Sequence, residues 1–216
     1  MPKIPDSVYS SFLSALLDGN RKLCSQIIRE QVNLNVQIKD LYEQIMKKAL
    51  YRIGELWEFN KISVATEHLA SAIVEAILNE LYSIIALNQK SQKKIIVACV
   101  ENELHQIGVK MVADLFELNG WDAYFLGANT PTEDLISFAK TKKPDVFAFS
   151  LSLYFHLPKL ETMITMIRAE FPDIPILVGG QAFSRGGKDV IEKYANVTYL
   201  YDLESIDTYI KHNYDG

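Results

Sequence analysis

The chain changes its hydrophobic period once. Up to about residue 88 the apolar residues recur at helical spacing; beyond residue 95 they gather into short continuous runs. Val8, Phe12, Leu16 and Leu17 mark a first helix, which Asp6 or Ser7 can cap and Gly19-Asn20 ends. Leu23, Ile27 and Ile28 mark a second. Leu41, Ile45, Ala49, Ile53, Leu56 and Trp57 keep one face of a third, longer helix apolar until Asn60-Lys61 breaks the pattern. Leu69, Ile73, Ile77, Leu81 and Ile84 mark a fourth. Prolines in this stretch are confined to Pro2 and Pro5. Four amphipathic helices with short joints predict an all-α four-helix bundle over residues 1–89.

The polar stretch Asn88-Gln89-Lys90-Ser91-Gln92-Lys93-Lys94 reads as a linker, and a second domain is expected over residues 90–216. Ile95 to Val100 is rich in β-branched residues and has the continuous apolar character of a strand buried on both faces. Further strands are expected at 123–126, 146–151, 174–178 and 197–201. Helices are expected between them, around Ile107–Leu118, Leu135–Ala139, Leu157–Phe171 and Val190–Tyr194, and a last one at Ile206–Ile210. Strand-helix alternation implies right-handed crossovers and a doubly wound parallel sheet of five strands, α/β and flavodoxin-like (Rossmann-like).

Composition narrows the class. Hydrophobic residues make up 49% and charged residues 23%, an ordinary globular balance, and the net charge of −5 disfavours direct nucleic-acid binding. Cys24 and Cys99 both lie in apolar patterns and read as buried, reduced thiols. Met1-Pro2-Lys3-Ile4-Pro5 lacks the apolar core of a signal peptide, and no run is expected to reach the roughly 20 apolar residues of a membrane span. A cytoplasmic protein is expected.

In open α/β sheets, ligands bind beyond the carboxyl ends of the strands. Unusual residues cluster there. Glu101 to Gly108 follows strand one, Ser150-Leu151-Ser152 closes strand three, and Gly179-Gly180 closes strand four. His105 is an imidazole available to a metal, and Glu103 can accept a hydrogen bond from its other nitrogen, fixing the tautomer. Gly108 costs about 1 kcal/mol of helix propensity and leaves room beside the helix start. Ser150 and Ser152 offer hydroxyls to the same crevice, and Gly179-Gly180 lets another group pass close to the backbone. A single histidine is a poor zinc site, since zinc takes three or four protein ligands. A metal that brings its own equatorial ligands fits better, either a haem or a corrinoid; a corrinoid's nucleotide tail would use a glycine-lined slot. His156 and His212 read as surface residues, and Trp121 and Phe125 as core.

Glu103-x-His105-x-x-Gly108, Ser150-x-Ser152 and Gly179-Gly180 resemble the signature of cobalamin-binding domains, in the right order over the C-terminal ~120 residues. The resemblance implies that His105 replaces the cofactor's own base as lower axial ligand of cobalt, with the nucleotide tail buried between strand ends. Glu103 stands where methyl-transferring members usually carry Asp. In the N-terminal half, Trp57 is followed by nine residues and then Glu67-His68. This is similar to the W-x9-E-H signature of MerR-type light-dependent repressors that use adenosylcobalamin. There the helical bundle covers the upper face of the corrin, and the equivalents of Trp57, Glu67 and His68 surround the adenosyl group. Two departures stand out. The chain opens almost directly on the bundle, without the DNA-binding module of those repressors. Glu58 occupies the position after the tryptophan where those sensors carry a histidine.

The resemblance therefore implies a cobalamin sensor and not an enzyme. Its cofactor is adenosylcobalamin in the first place, with methyl- or hydroxocobalamin as the other forms. Light or cofactor level would change its assembly, with a homo-oligomer among the expected forms, and its grip on a regulatory protein partner, without contact to nucleic acid or membrane. The alternative is a corrinoid methyl carrier of a methyltransferase system.

Overall fold

The structure, a computed structural model, describes residues 4–86 and 91–214. The core of the expected linker, Asn88-Gln89-Lys90, and the boundary placed at residues 89/90 lie outside the described residues. The chain divides into two compact units, Met1–Ile84 and Ile85–Gly216.

The first unit is helical: α1 (Asp6–Leu17), α2 (Arg21–Asn33), α3 (Ile38–Leu41), α4 (Lys48–Glu58) and α5 (Val64–Ile85), with a π-helical segment, Tyr42–Lys47, joining α3 to α4 into one rod. Four rods thus stand where four helices are expected. Phe12, Leu16, Cys24, Ile28, Leu41, Ile45, Ala49, Ile53, Ile73, Ile77 and Leu81 form its buried core. Details differ from the pattern. Pro5, not Asp6 or Ser7, takes the N-cap position of α1, and no side chain caps it. Asn20 begins α2, its side chain accepting the Leu23 N–H at 3.1 Å. Leu23 on α2 is exposed, and so are Leu69 and Ile84 on α5, whose buried stripe includes Ala70, Val74, Leu78 and Ile85 beside the expected Ile73, Ile77 and Leu81. Over 22 residues α5 has a window of mean hydropathy 1.2, long and apolar enough by those measures to cross a membrane. This departs from the expectation of no such run; the same apolar side chains pack the core of this unit.

The second unit alternates β1 (Lys94–Cys99), α6 (Ile107–Leu118), β2 (Asp122–Gly127), α7 (Thr132–Lys142), β3 (Val146–Ser150), α8 (Leu157–Glu170), β4 (Ile176–Gly179), α9 (Lys188–Ile191), β5 (Val197–Tyr199) and α10 (Leu203–Tyr214). The five strands are parallel in the order β2-β1-β3-β4-β5, the flavodoxin-like order the alternation predicts. Residues Ile95 to Val100 are fully buried, as a central strand covered on both faces requires. The order reverses beside β1, so the ends of β1 and β3 open onto the crevice where such sheets bind ligands.

Candidate functional site

The register pairs Cys99 with Ser150 at the carboxyl ends of β1 and β3. The Val100 N–H then donates to the Ser150 carbonyl at 3.0 Å. Asn102 turns the chain with φ +73°, a conformation asparagine tolerates, and its N–H donates to Asn129 Oδ1 at 3.2 Å. The turn sends Glu103 inward and His105 outward: the Glu103 side chain is 0% exposed and that of His105 57%.

Glu103 is the anchor of the site. Its Oε2 accepts the backbone N–H groups of Ser152 (3.0 Å) and Leu153 (2.9 Å). Its Oε1 accepts those of Leu104 (3.0 Å) and His105 (3.3 Å) and pairs with the His105 ring at Nδ1. Burial alone would push the carboxyl up. The His105 ring and the backbone N–H groups outweigh that and hold it down at about 2. Glu103 is therefore an anion at neutral pH. An anion at Nδ1 favours a proton there, the tautomer that would present Nε2 to a metal. Beneath the loop, Cys99 Sγ lies 3.6 Å from the His105 carbonyl. Burial, with Glu103 adding to it, pushes that thiol up to about 12.

The glycines divide into two kinds. A Cβ on Gly179 would sit 2.7 Å from the Leu200 carbonyl, and Gly180 has φ +111° and would drive a Cβ into the Leu151 carbonyl. The protein's own backbone packing thus requires both. A Cβ on Gly108 would meet nothing within 4 Å, so no neighbour in the fold demands that glycine. The hydroxyls of Ser150, which is buried, and of Ser152 have no hydrogen-bond partner among the described residues.

Sequence reasoning missed the surroundings. Leu104, Tyr154 and Phe155 are large, apolar or aromatic, and exposed; they flank the loops that hold Glu103. A 3-10 turn, Tyr154–His156, presents the last two. Phe125, expected in the core, is exposed as well, whereas Trp121 is buried. His156, expected at the surface, is 15% exposed, with Nδ1 3.5 Å from Glu103 Oε2. The available signal was Pro158: proline favours the first turn of a helix, which places His156 at the N-cap of α8, beside the sheet edge. His212 is exposed, as expected.

In the first unit, Trp57 on the last turn of α4 is 50% exposed. Asn60, at φ +54°, turns the chain, and the Ser63 hydroxyl caps α5 by accepting the Thr66 N–H at 3.1 Å. Glu67 Oε2 and His68 Nδ1 lie 2.6 Å apart, and the Ser71 hydroxyl donates to Glu67 Oε1 at 2.9 Å. The structure thus brings Glu67 and His68 together. No hydrogen bond or ring contact joins Trp57 to either among the described residues.

Among the described residues no group of three or more His, Cys, Asp or Glu side chains could hold a metal ion. An exposed imidazole with an anion behind it, unfilled space at Gly108, two unpartnered hydroxyls and an apolar rim fit a macrocyclic cofactor that brings its own equatorial ligands.

Comparison with known proteins agrees. Residues 93–202 match the family described as "B12 binding domain", and residues 8–82 match a second family of the same description. The HTH-type transcriptional repressor CarH of Myxococcus xanthus is 29% identical over 155 residues, 71% of this chain and 51% of the repressor. The chain thus aligns with only about half the length of that relative. Trimethylamine corrinoid protein 1 of Methanosarcina mazei is 24% identical over 200 residues, 88% of each chain. The Methanosarcina barkeri monomethylamine corrinoid protein shares the fold, with a TM-score of 0.82 at 14% identity over 96% of this chain and 98% of that one. The chain belongs to the B12-binding domain family, with a helical B12-binding segment preceding a flavodoxin-like B12-binding domain.

Proposed function

We propose that this protein is an adenosylcobalamin-dependent sensor, in which His105 is the lower axial ligand of cobalt and Trp57, Glu67 and His68 select the adenosyl form. Residues 90–216 form the cobalamin-binding domain and residues 1–89 its helical cap. The observation that carries cobalamin binding is the His105–Glu103 pair, with Glu103 fully buried and fixed by four backbone N–H groups. Glu103 holds the proton on Nδ1, the Ser150 and Ser152 hydroxyls and Gly108 receive the nucleotide tail, and Leu104 and Phe155 keep water from the imidazole. Bound cobalamin supplies a cobalt–carbon bond that light or group transfer can break; the protein supplies position and shelter. The half-exposed indole of Trp57, with the Glu67–His68 pair across the same helix joint, supports the sensor reading. So does the alignment with a repressor.

The signal passes to a regulatory protein partner through a change in assembly, in the cytoplasm and without direct contact to nucleic acid. The chain is not itself an enzyme. Reconstitution of the full chain with adenosylcobalamin, followed by spectra and size measurement in the dark and under green light, tests this. A spectrum and size that light leaves unchanged would overturn the sensor reading. A second reading, a corrinoid methyl carrier, is favoured by the alignment with a trimethylamine corrinoid protein over 88% of both chains. Methyl transfer from the methylcobalamin-loaded chain to a thiol acceptor would establish it.

A further inference from the structure

The loop that carries His105 is bound along its length to the turn between β2 and α7. Glu101 Oε2 accepts the Thr132 N–H at 3.2 Å and its hydroxyl at 2.6 Å. Gln106, next to His105, accepts the Ala128 N–H through Oε1 at 3.2 Å. Between these ties lies a reciprocal one. The Asn102 N–H donates to Asn129 Oδ1 at 3.2 Å, and the Asn129 N–H donates to the Glu103 carbonyl at 3.1 Å. Both asparagines stand in the left-handed region, at φ +73° for Asn102 and +52° for Asn129. Such a backbone is strained for most residues, and two of them in mutual contact beside a candidate site point to a shape held for a purpose. Glycine would relieve the strain at either place. At 129 it would also remove the oxygen that holds Asn102, and asparagine keeps both. The turn between β2 and α7 is itself firm: the Thr130 hydroxyl donates to the Leu126 carbonyl at 3.2 Å, and Pro131 fixes the backbone at the start of α7.

We propose that Asn129 is a positioning residue which holds the His105 loop in its binding shape before cobalamin arrives. This inference rests on the reading of His105 as the axial ligand. Glu103 fastens the loop on its β3 side, through the Ser152 and Leu153 N–H groups; Asn129 fastens it on its β2 side. Asn102 directly precedes Glu103, so releasing its N–H frees the turn that sends Glu103 inward and His105 outward. A loop already in its bound shape has nothing left to order when the cofactor binds, and it presents the imidazole in one place. A loosened loop must order at that moment, and its imidazole then competes less well with the cofactor's own base for cobalt.

The test has two arms, both on the full chain. The first follows amide hydrogen exchange in the cofactor-free protein. The Asn102 and Asn129 amides are expected to exchange more slowly than in an unstructured peptide; peptide-like exchange at either overturns the inference even if no variant of Asn129 folds. The second arm loads 15N-labelled protein with cob(II)alamin and reads the axial-nitrogen splitting by electron paramagnetic resonance, together with the affinity. A labelled imidazole splits each cobalt line in two, and the cofactor's own base splits it in three. Loss of the twofold splitting in His105→Ala supports the ligand assignment; its retention sinks that assignment and the inference together. Asn129→Gly lets the backbone keep its turn but lacks the acceptor. It is expected to bind about two- to tenfold more weakly, the range one hydrogen bond carries, and to show a threefold component at full loading. Asn129→Asp, which restores the acceptor, is expected to return toward the parent in both readings. A merely structural role would lower stability and leave the fully loaded spectrum as it was. A Gly variant whose loaded spectrum matches the parent, or an Asp variant displaced as far as the Gly one, refutes the role of Asn129 and leaves His105 untouched.

Discussion

Glu103 grips His105 at two points: the same carboxylate oxygen pairs with the ring Nδ1 and accepts the backbone N–H of that residue at 3.3 Å. The ring is thereby fixed in direction as well as in tautomer. His105→Ala should weaken cobalamin binding by at least about tenfold, or 1.4 kcal/mol, and shift the cofactor's absorption. Calorimetric titration and spectra of the loaded variant check this; parent-like values for both would remove His105 from the site.

Gly108 and Gly180 should respond in opposite ways to the same added methyl group. Gly108→Ala meets open space, so it should leave folding stability unchanged or raise it by up to about 1 kcal/mol through helix propensity, while weakening cobalamin binding. Gly180→Ala places a Cβ against the Leu151 carbonyl at φ +111° and should destabilise the fold by about 1–3 kcal/mol. Denaturant unfolding of both cofactor-free variants, with binding measured for Gly108→Ala, separates the two roles.

Trp57→Ala should preserve cobalamin binding but erode the preference for the adenosyl over the methyl form. The indole is half exposed, so its removal leaves the bundle core intact and any loss of stability should be small. Paired affinities for the two forms, before and after the change, decide the point; an unchanged ratio would assign Trp57 a packing role only.

Glu101 ties the end of β1 to the start of α7. Its Oε2 accepts the Thr132 hydroxyl at 2.6 Å, and its Oε1 accepts Lys159 Nζ at 3.0 Å. The Thr132 hydroxyl, then Lys159, outweigh burial and hold its carboxyl below the usual carboxylate range. A depressed folded-state pKa contributes stability above the unfolded value near 4.5, and that contribution fades as pH falls below it. Thr132→Val should therefore cost about 1–3 kcal/mol at pH 7 and progressively less in acid. Unfolding curves of parent and variant at pH 7 and pH 3 check this: the gap between them should narrow at the lower pH.

Much of this arrangement was legible from residue pattern alone. The short apolar runs located all five strands, and their alternation with helices implied the sheet order. The spacing from Glu103 to Gly108 marked the site loop because a carboxylate, an imidazole and a glycine at a strand end have few other uses together. What escaped was set by three-dimensional packing. Leu69 and Ile84 fit a four-residue repeat yet lie off the buried stripe, since a 22-residue helix drifts around its axis relative to its neighbours. The π-helical segment Tyr42–Lys47 keeps the apolar repeat and so left no trace in it. His156 reads as a polar surface residue until the β3–α8 turn folds it back onto Glu103. Gly179-Gly180 suggested a ligand slot, but contacts with Leu200 and Leu151 already require both glycines.

The backbone bonds of Glu103 reach beyond its own loop. Because the carboxylate that steadies the imidazole also clasps the amides of Ser152 and Leu153, a pull on the ring is relayed to the neighbouring strand's exit loop. The next residues along are the outward-facing Tyr154 and Phe155. The carboxylate behind one histidine thus also anchors the start of the 3-10 turn that presents two aromatic side chains at the molecular surface.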